Sequence, residues 1–194
     1  MVRLGGWLFK RRTWLPLPLA LGLLLIPSQH QPTFLLDLGG ASLVAAGELV
    51  RLWGVRQIGA ISRTRSDRLG PLVDSGPFAY VRNPLYLGNI GLWCGFAINA
   101  GLPWLAPPLA AILGFEYHAI VRWEEGLLEA RLGDAYRDYT ARVPRWVPAL
   151  ASSASAGSAA SHFSWHDTLF SERGTLVAIA AGYVLITAKF LAGW

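Results

Sequence analysis

Five apolar blocks, residues 13–27, 34–53, 85–100, 105–120 and 174–194, take up much of this chain, and basic segments separate them. Only 15% of the 194 residues are charged while 53% are hydrophobic, whereas a soluble domain carries about a quarter of its residues as charges. Blocks that shed charge in this way are suited to lipid around their outer faces. The expected fold is therefore all-α: a polytopic membrane helical bundle of about five transmembrane helices, with hardly any strand and no Rossmann domain. It is read as a single domain over 1–194, with a core at 51–148.

The net charge is +5, yet the arginines sit in short segments between apolar blocks and not along one helix face. Anionic membrane lipids account for that pattern, and nucleic acid does not. All 17 Lys and Arg except Lys189 lie before the first block, at or between the facing ends of the second and third, or between the fourth and fifth. The turns at 28–33 and 100–103 have none. Five spans then put the N-terminus and both arginine-rich segments in the cytoplasm and the C-terminus outside, as in a bacterial inner membrane. The basic Lys10–Arg12 flank imitates a signal peptide, but no clean small-residue cleavage site follows, so the first block is expected to be a retained helix. Cys94 is the single cysteine, which excludes an intrachain disulfide.

Pro16, Pro18 and Pro84 suit helix starts, and Pro107–Pro108 predict a tilt or kink in the fourth block. Asp37 and Glu48 interrupt the second block and need partners inside a bundle. Residues 121–146 carry apolar positions at helical spacing among charges, which predicts a helix leaving the membrane, with Gly133 able to break it. Residues 149–161 read as a low-complexity linker, 162–173 as an interfacial stretch, and 174–194 as the last transmembrane helix.

The hairpin of the third and fourth blocks brings Arg82-Asn83-Pro84 and Arg122-Trp123-Glu124-Glu125 to one face of the membrane. Two arginines, two carboxylates, Tyr80, Tyr86, His118 and Tyr136 thus converge on one mouth. Such a cluster suits a zwitterionic cofactor. Neighbouring glutamates point about 100° apart on a helix, so Glu124 is expected to face the site while Glu125 answers an arginine. His162 and His166 stand four residues apart, but too few further ligands accompany them, and no metal site is expected.

LVDSGPFAYVRNPLYLGN at 72–89 and EEGLLEARLGDAYRDYTARVPRWVP at 124–148 together resemble the isoprenylcysteine carboxyl methyltransferase and phospholipid methyltransferase families. Their signature is similar to G-P-[FY]-x-x-[VI]-R-H-P-x-Y-x-G, followed one hairpin later by E-E-x-x-L-x-x-x-[FL]-G-x-x-Y-x-x-Y. The resemblance implies S-adenosyl-L-methionine bound at the cytoplasmic helix ends by Tyr80, Arg82, Pro84, Tyr86, Leu87, Glu124, Tyr136 and Tyr139. Asn83 replaces the family histidine within that cofactor-binding stretch and cannot titrate near neutrality.

The resemblance implies methyl transfer to a lipid or small lipophilic acceptor entering from the bilayer. Transfer like that of the isoprenylcysteine carboxyl O-methyltransferases needs a cation, Arg122 or Arg145, to orient a carboxylate. Transfer to a phospholipid amine needs a base, Glu124 or His118, because the amine must first lose a proton. A membrane scaffold without catalysis leaves both polar motifs unexplained. A small transporter needs a polar lining across the bilayer, which the third and fourth blocks lack.

Overall fold

The computed structural model describes residues 2–12, 14–29, 33–58, 72–153 and 163–193. Arg63, Arg65, Arg68, His162 and much of the serine-alanine linker lie outside the described residues. The helices are α1 (Val2–Arg11), α2 (Pro16–Leu25), α3 (Phe34–Ile58), α4 (Pro84–Asn99), α5 (Ala106–Leu132), α6 (Asp134–Arg142) and α7 (Trp165–Leu191). Short 3-10 turns, Gly76–Ala79 and Pro103–Leu105, precede α4 and α5. The described residues are all-α and contain no strand.

Two membrane-crossing helices, not about five, are supported. Among the described residues, only Pro103–Leu132 and Trp165–Leu191 are long and apolar enough to cross a bilayer. Helix α2 has ten residues and α4 sixteen, roughly 15 and 24 Å at about 1.5 Å per residue, against a hydrocarbon core of about 30 Å. Helix α3 has the length, at 25 residues, but Asp37, Glu48, Arg51 and Arg56 divide its apolar face. Apolar composition was read as lipid exposure, whereas much of it serves contact between helices. The five-span topology falls with that count.

Helices α3 and α4 form the most extensive pair in the protein, and glycine spacing explains the fit. Gly40 and Gly47 on α3, and Gly88 and Gly95 on α4, are each seven residues apart, so each pair stacks on one helix face. A Cβ on Gly47 would lie 2.6 Å from Gly88 O, and one on Gly95 would lie 2.6 Å from Gly40 O. The helices run antiparallel with their backbones in contact, as small residues permit.

Helix α5 packs on the other side of α4, and α1 lies along it, with Gly5 against the Ala119 carbonyl. Leu23, Ala97, Ala100, Leu102, Leu109 and Ile186 fill the end of the bundle at the α4–α5 turn. There Lys189 Nζ donates to the carbonyls of Leu23 and Ala100 at 2.9 and 3.0 Å, a cation placed at the negative ends of two helices. Pro107 and Pro108 fall in the first turn of α5, where their missing amide hydrogens cost little. Ser164 Oγ accepts from Asp167 N at 3.1 Å; this cap starts α7 nine residues before the expected last span at 174–194. The opposite end of the bundle, where α4 begins and α5 ends, holds the two polar motifs quoted above in sequence.

Candidate functional site

Main-chain hydrogen bonds join the two polar segments. After α6 the chain runs back beside residues 79–83: Arg82 N donates to Pro144 O, Ala149 N to Tyr80 O and Ser153 N to Ala79 O, each at 2.9 Å. Asn83 Nδ2 donates to Arg145 O at 3.1 Å. An amide donor there ties the start of α4 to the returning chain without any titration. Gly133, with φ of +55°, ends α5 and redirects the chain into α6; few side chains tolerate that backbone region.

This return delivers Arg145 to Glu125. Arg145 Nε and Nη2 contact the two Glu125 oxygens at 2.9 and 2.7 Å, a bidentate fork, and Arg82 Nη1 reaches Oε1 at 2.7 Å. Glu125 therefore answers two arginines. The Arg82 and Glu125 side chains are each only 14% exposed, so the pair is poorly screened by solvent. Arg82 Nε is buried and makes no hydrogen bond among the described residues. Tyr136 and Tyr139 pack with Val143 beneath this triad, and Tyr139 OH donates to Phe78 O at 2.9 Å. Burial foremost raises the pKa of both phenols, keeping them neutral.

Glu124 turns to the α4–α5 seam instead, where Tyr86 OH donates to its Oε2 at 3.0 Å. Tyr86 stacks on Tyr117, with ring centroids 4.7 Å apart. Burial, then the Glu124 charge, raises the Tyr86 pKa well above its usual value, while the Arg12 charge opposes them. Arg12 itself lies over the Phe9 ring at 4.1 Å, and Phe9 packs on Trp123 at 4.8 Å. The N-terminal segment thus brings a cation to the Tyr86 side of the seam.

On the α3 side of α4 an apolar cavity of about 410 Å³ opens, lined among others by Leu43, Trp53, Tyr80, Pro84, Leu87 and Pro148. It is large enough for several methylenes of a lipid chain.

The residues expected to form one pocket are thus divided between two faces of α4. Tyr80, Pro84 and Leu87 line the apolar cavity, Tyr86 and Glu124 share the α4–α5 seam, and Arg82, Tyr136, Tyr139 and Arg145 surround Glu125. His118 Nδ1 accepts from Trp146 Nε1 at 3.2 Å. Arg122 is exposed. His166 is also exposed, 3.7 Å from Asp167. Among the described residues no three His, Cys, Asp or Glu side chains group to hold a metal. Three residues at this end escaped the sequence reading. Tyr117 stands seven residues before Glu124 and Asn89 three after Tyr86, spacings that a helical face would have marked. Arg12 sits in a segment read for its charge alone.

No solved structure matches the chain. Over 111 residues it is 30% identical to the nickel-cobalt-cadmium resistance protein NccN of Alcaligenes xylosoxydans xylosoxydans, a stretch that covers 57% of this chain and 47% of that protein. The chain therefore spans about half the length of this curated relative. Residues 36–135, just over half of the chain and including most of α3, all of α4 and α5 and the first polar motif, match the phospholipid methyltransferase family model. The chain belongs to that family, the phospholipid methyltransferases.

Proposed function

We propose that this enzyme methylates the amine headgroup of a phospholipid. The observation that carries this reading is the division of labour between two adjacent carboxylates. Arg145, one of the two cations expected to orient a carboxylate acceptor, is engaged by Glu125 together with Arg82, and the other, Arg122, is exposed outside that triad. Among the described residues Glu124 receives one hydrogen bond, from a tyrosine at Oε2, which leaves its Oε1 for an acceptor ammonium. A headgroup amine must lose a proton to become nucleophilic, and a carboxylate held in a seam largely shielded from water is suited to take it.

The residues at the mouth fit the cofactor. Its carboxylate matches Arg82 Nε, which is buried and without a hydrogen bond among the described residues. When bound, S-adenosylmethionine would supply the methyl group that the acceptor nitrogen takes up. Glu124 accepts the proton from that nitrogen, and Tyr86 orients the carboxylate. The cavity lined by Leu43, Trp53 and Leu87 takes an acyl chain, so the acceptor is drawn from the bilayer. The domain is single, with the site at its 51–148 core and the arginine-rich mouth on the cytosolic side.

Purified protein in lipid nanodiscs, given methyl-labelled S-adenosylmethionine, an amine-headgroup phospholipid and a prenylated cysteine, tests the proposal by mass spectrometry. Label on the headgroup nitrogen is expected. Label on the cysteine carboxylate alone would overturn it.

A further inference from the structure

A second polar group crosses the helices away from Glu125. Arg51 on α3 has a side chain only 12% exposed, and its Nη2 lies 2.6 Å from Oε2 of Glu172 on α7, itself 2% exposed. The same nitrogen donates to Thr175 Oγ1 at 3.1 Å, and Nη1 donates to Asn89 Oδ1 at 2.6 Å. Glu48 Oε2 is 3.5 Å from Arg51 Nε. Four contacts from three helices hold the guanidinium in place.

This group is continuous with the α4–α5 seam. Asn89 follows Tyr86 by three residues and shares its face of α4; its side chain also interacts with the Tyr117 hydroxyl. Tyr117 stacks on Tyr86, and Tyr86 donates to Glu124. Polar or aromatic contacts thus run unbroken from Glu172 to Glu124.

We infer that Arg51 and Glu172 are positioning residues for methyl transfer, fixing Asn89 and, through Tyr117 and Tyr86, the Glu124 carboxylate. Stability alone is a weak reason for such a pair. Desolvating two charges offsets most of their attraction, and apolar side chains would join α3 to α7 at least as well. What a forked guanidinium supplies is direction: it sets the angle of the Asn89 amide, which a greasy contact leaves free. Misplacing a catalytic group by about 1 Å can lower rates as much as a hundredfold. Glu172 and Thr175 lie outside the matched residues 36–135, so the last helix adds to the site from beyond the family core. The final link rests on the reading of Glu124 as proton acceptor.

The test uses the full chain in detergent with ¹³C-labelled tyrosine, so that its first readout needs neither cofactor nor activity. Tyr86 ring signals, assigned by their loss in Tyr86→Phe, are expected to shift in Glu172→Gln and to stay in place in Leu169→Ala, an exposed position on the same helix. In transfer assays Glu172→Gln is expected to lower kcat about tenfold with the cofactor KM within about twofold. The double variant Glu172→Gln/Tyr117→Phe should lose no more than the worse single variant, because both act on one chain of contacts. Should Glu172→Gln melt early, Thr175→Val removes just the 3.1 Å contact and should shift the same signals less. Tyr86 signals unmoved in folded Glu172→Gln, or losses that multiply in the double variant, overturn the inference. A Tyr86 shift together with full activity in Glu124→Gln would preserve the relay as far as Tyr86 and remove Glu124 as the acceptor.

Discussion

Tyr86 and Glu124 meet across the α4–α5 seam, phenol to carboxylate, at 3.0 Å, while the neighbouring Glu125 points to two arginines. Adjacent carboxylates are thereby given different work. If Glu124 takes a proton from the acceptor, Glu124→Gln lowers kcat about a hundredfold, the lower range for losing a positioned base. Tyr86→Phe, which removes just the orienting hydrogen bond, lowers it about tenfold. Labelled methyl transfer into phospholipid, with melting curves run in parallel, measures both. Equal activity in wild type and Glu124→Gln would remove the residue from the chemistry.

Glu125→Gln is expected to act first on stability. It leaves Arg82 and Arg145 facing each other at the mouth with no carboxylate between them, at a cost of about 3 kcal/mol, typical of breaking a well-buried pair. Arg145→Lys keeps the charge but loses the fork and should cost about 1 kcal/mol. Denaturant melts in detergent decide the point. A Glu125→Gln protein as stable as wild type would show that the triad contributes no net stability.

How much of this was legible in the residues differs by level. Both polar motifs could be found because turn residues and paired charges are local signals, and Pro84 marks the start of α4 in sequence and structure alike. The number of spanning helices was not legible. Apolar runs such as 34–53 and 85–100 look the same whether lipid or another helix covers them, and the glycines that bring α3 against α4 dilute a hydropathy pattern while deciding the packing. The Arg51–Glu172 pair was illegible for another reason. It joins residues 121 positions apart, and no local rule links the end of one helix to the first turns of another across a linker. Glu48 announces itself as a charge in need of company, whereas Arg51 stands among the basic residues at the end of its block and looks no different from them.

The glycine seam gives a test that contrasts two helices. Gly47→Ala would force a Cβ to within 2.6 Å of Gly88 O, and backbone yields less readily than a side chain, so about 2 kcal/mol or more of stability should be lost. Gly114→Ala in α5 meets nothing within 4 Å and should gain about 0.5–1 kcal/mol from the better helix former. Thermal melts of the two variants should move in opposite directions. Parallel shifts would mean that α3 and α4 are not in backbone contact.

Tyr139 offers a prediction in pH. Its phenol is buried beneath the mouth and donates to Phe78 O, and burial, then the Tyr136 and Asp74 charges, raises its pKa above the ordinary value near 10. A group whose folded pKa is raised binds its proton more tightly in the folded state. Its contribution is whole below about pH 10 and is lost as pH climbs above that value toward the folded pKa. Unfolding free energy should therefore fall between about pH 9.5 and 11.5, by up to about 1.4 kcal/mol per pH unit for each such phenol. Tyr139→Phe should be about 1 kcal/mol less stable at pH 8, because a buried carbonyl loses its donor. It should also lose less on going alkaline, so that the two curves converge or cross. Denaturant melts at pH 8, 10 and 11 measure this. Curves that stay parallel throughout would show that the phenol titrates in the folded protein as it does in water, and that the Tyr136–Tyr139–Val143 cluster does not seal the mouth from below.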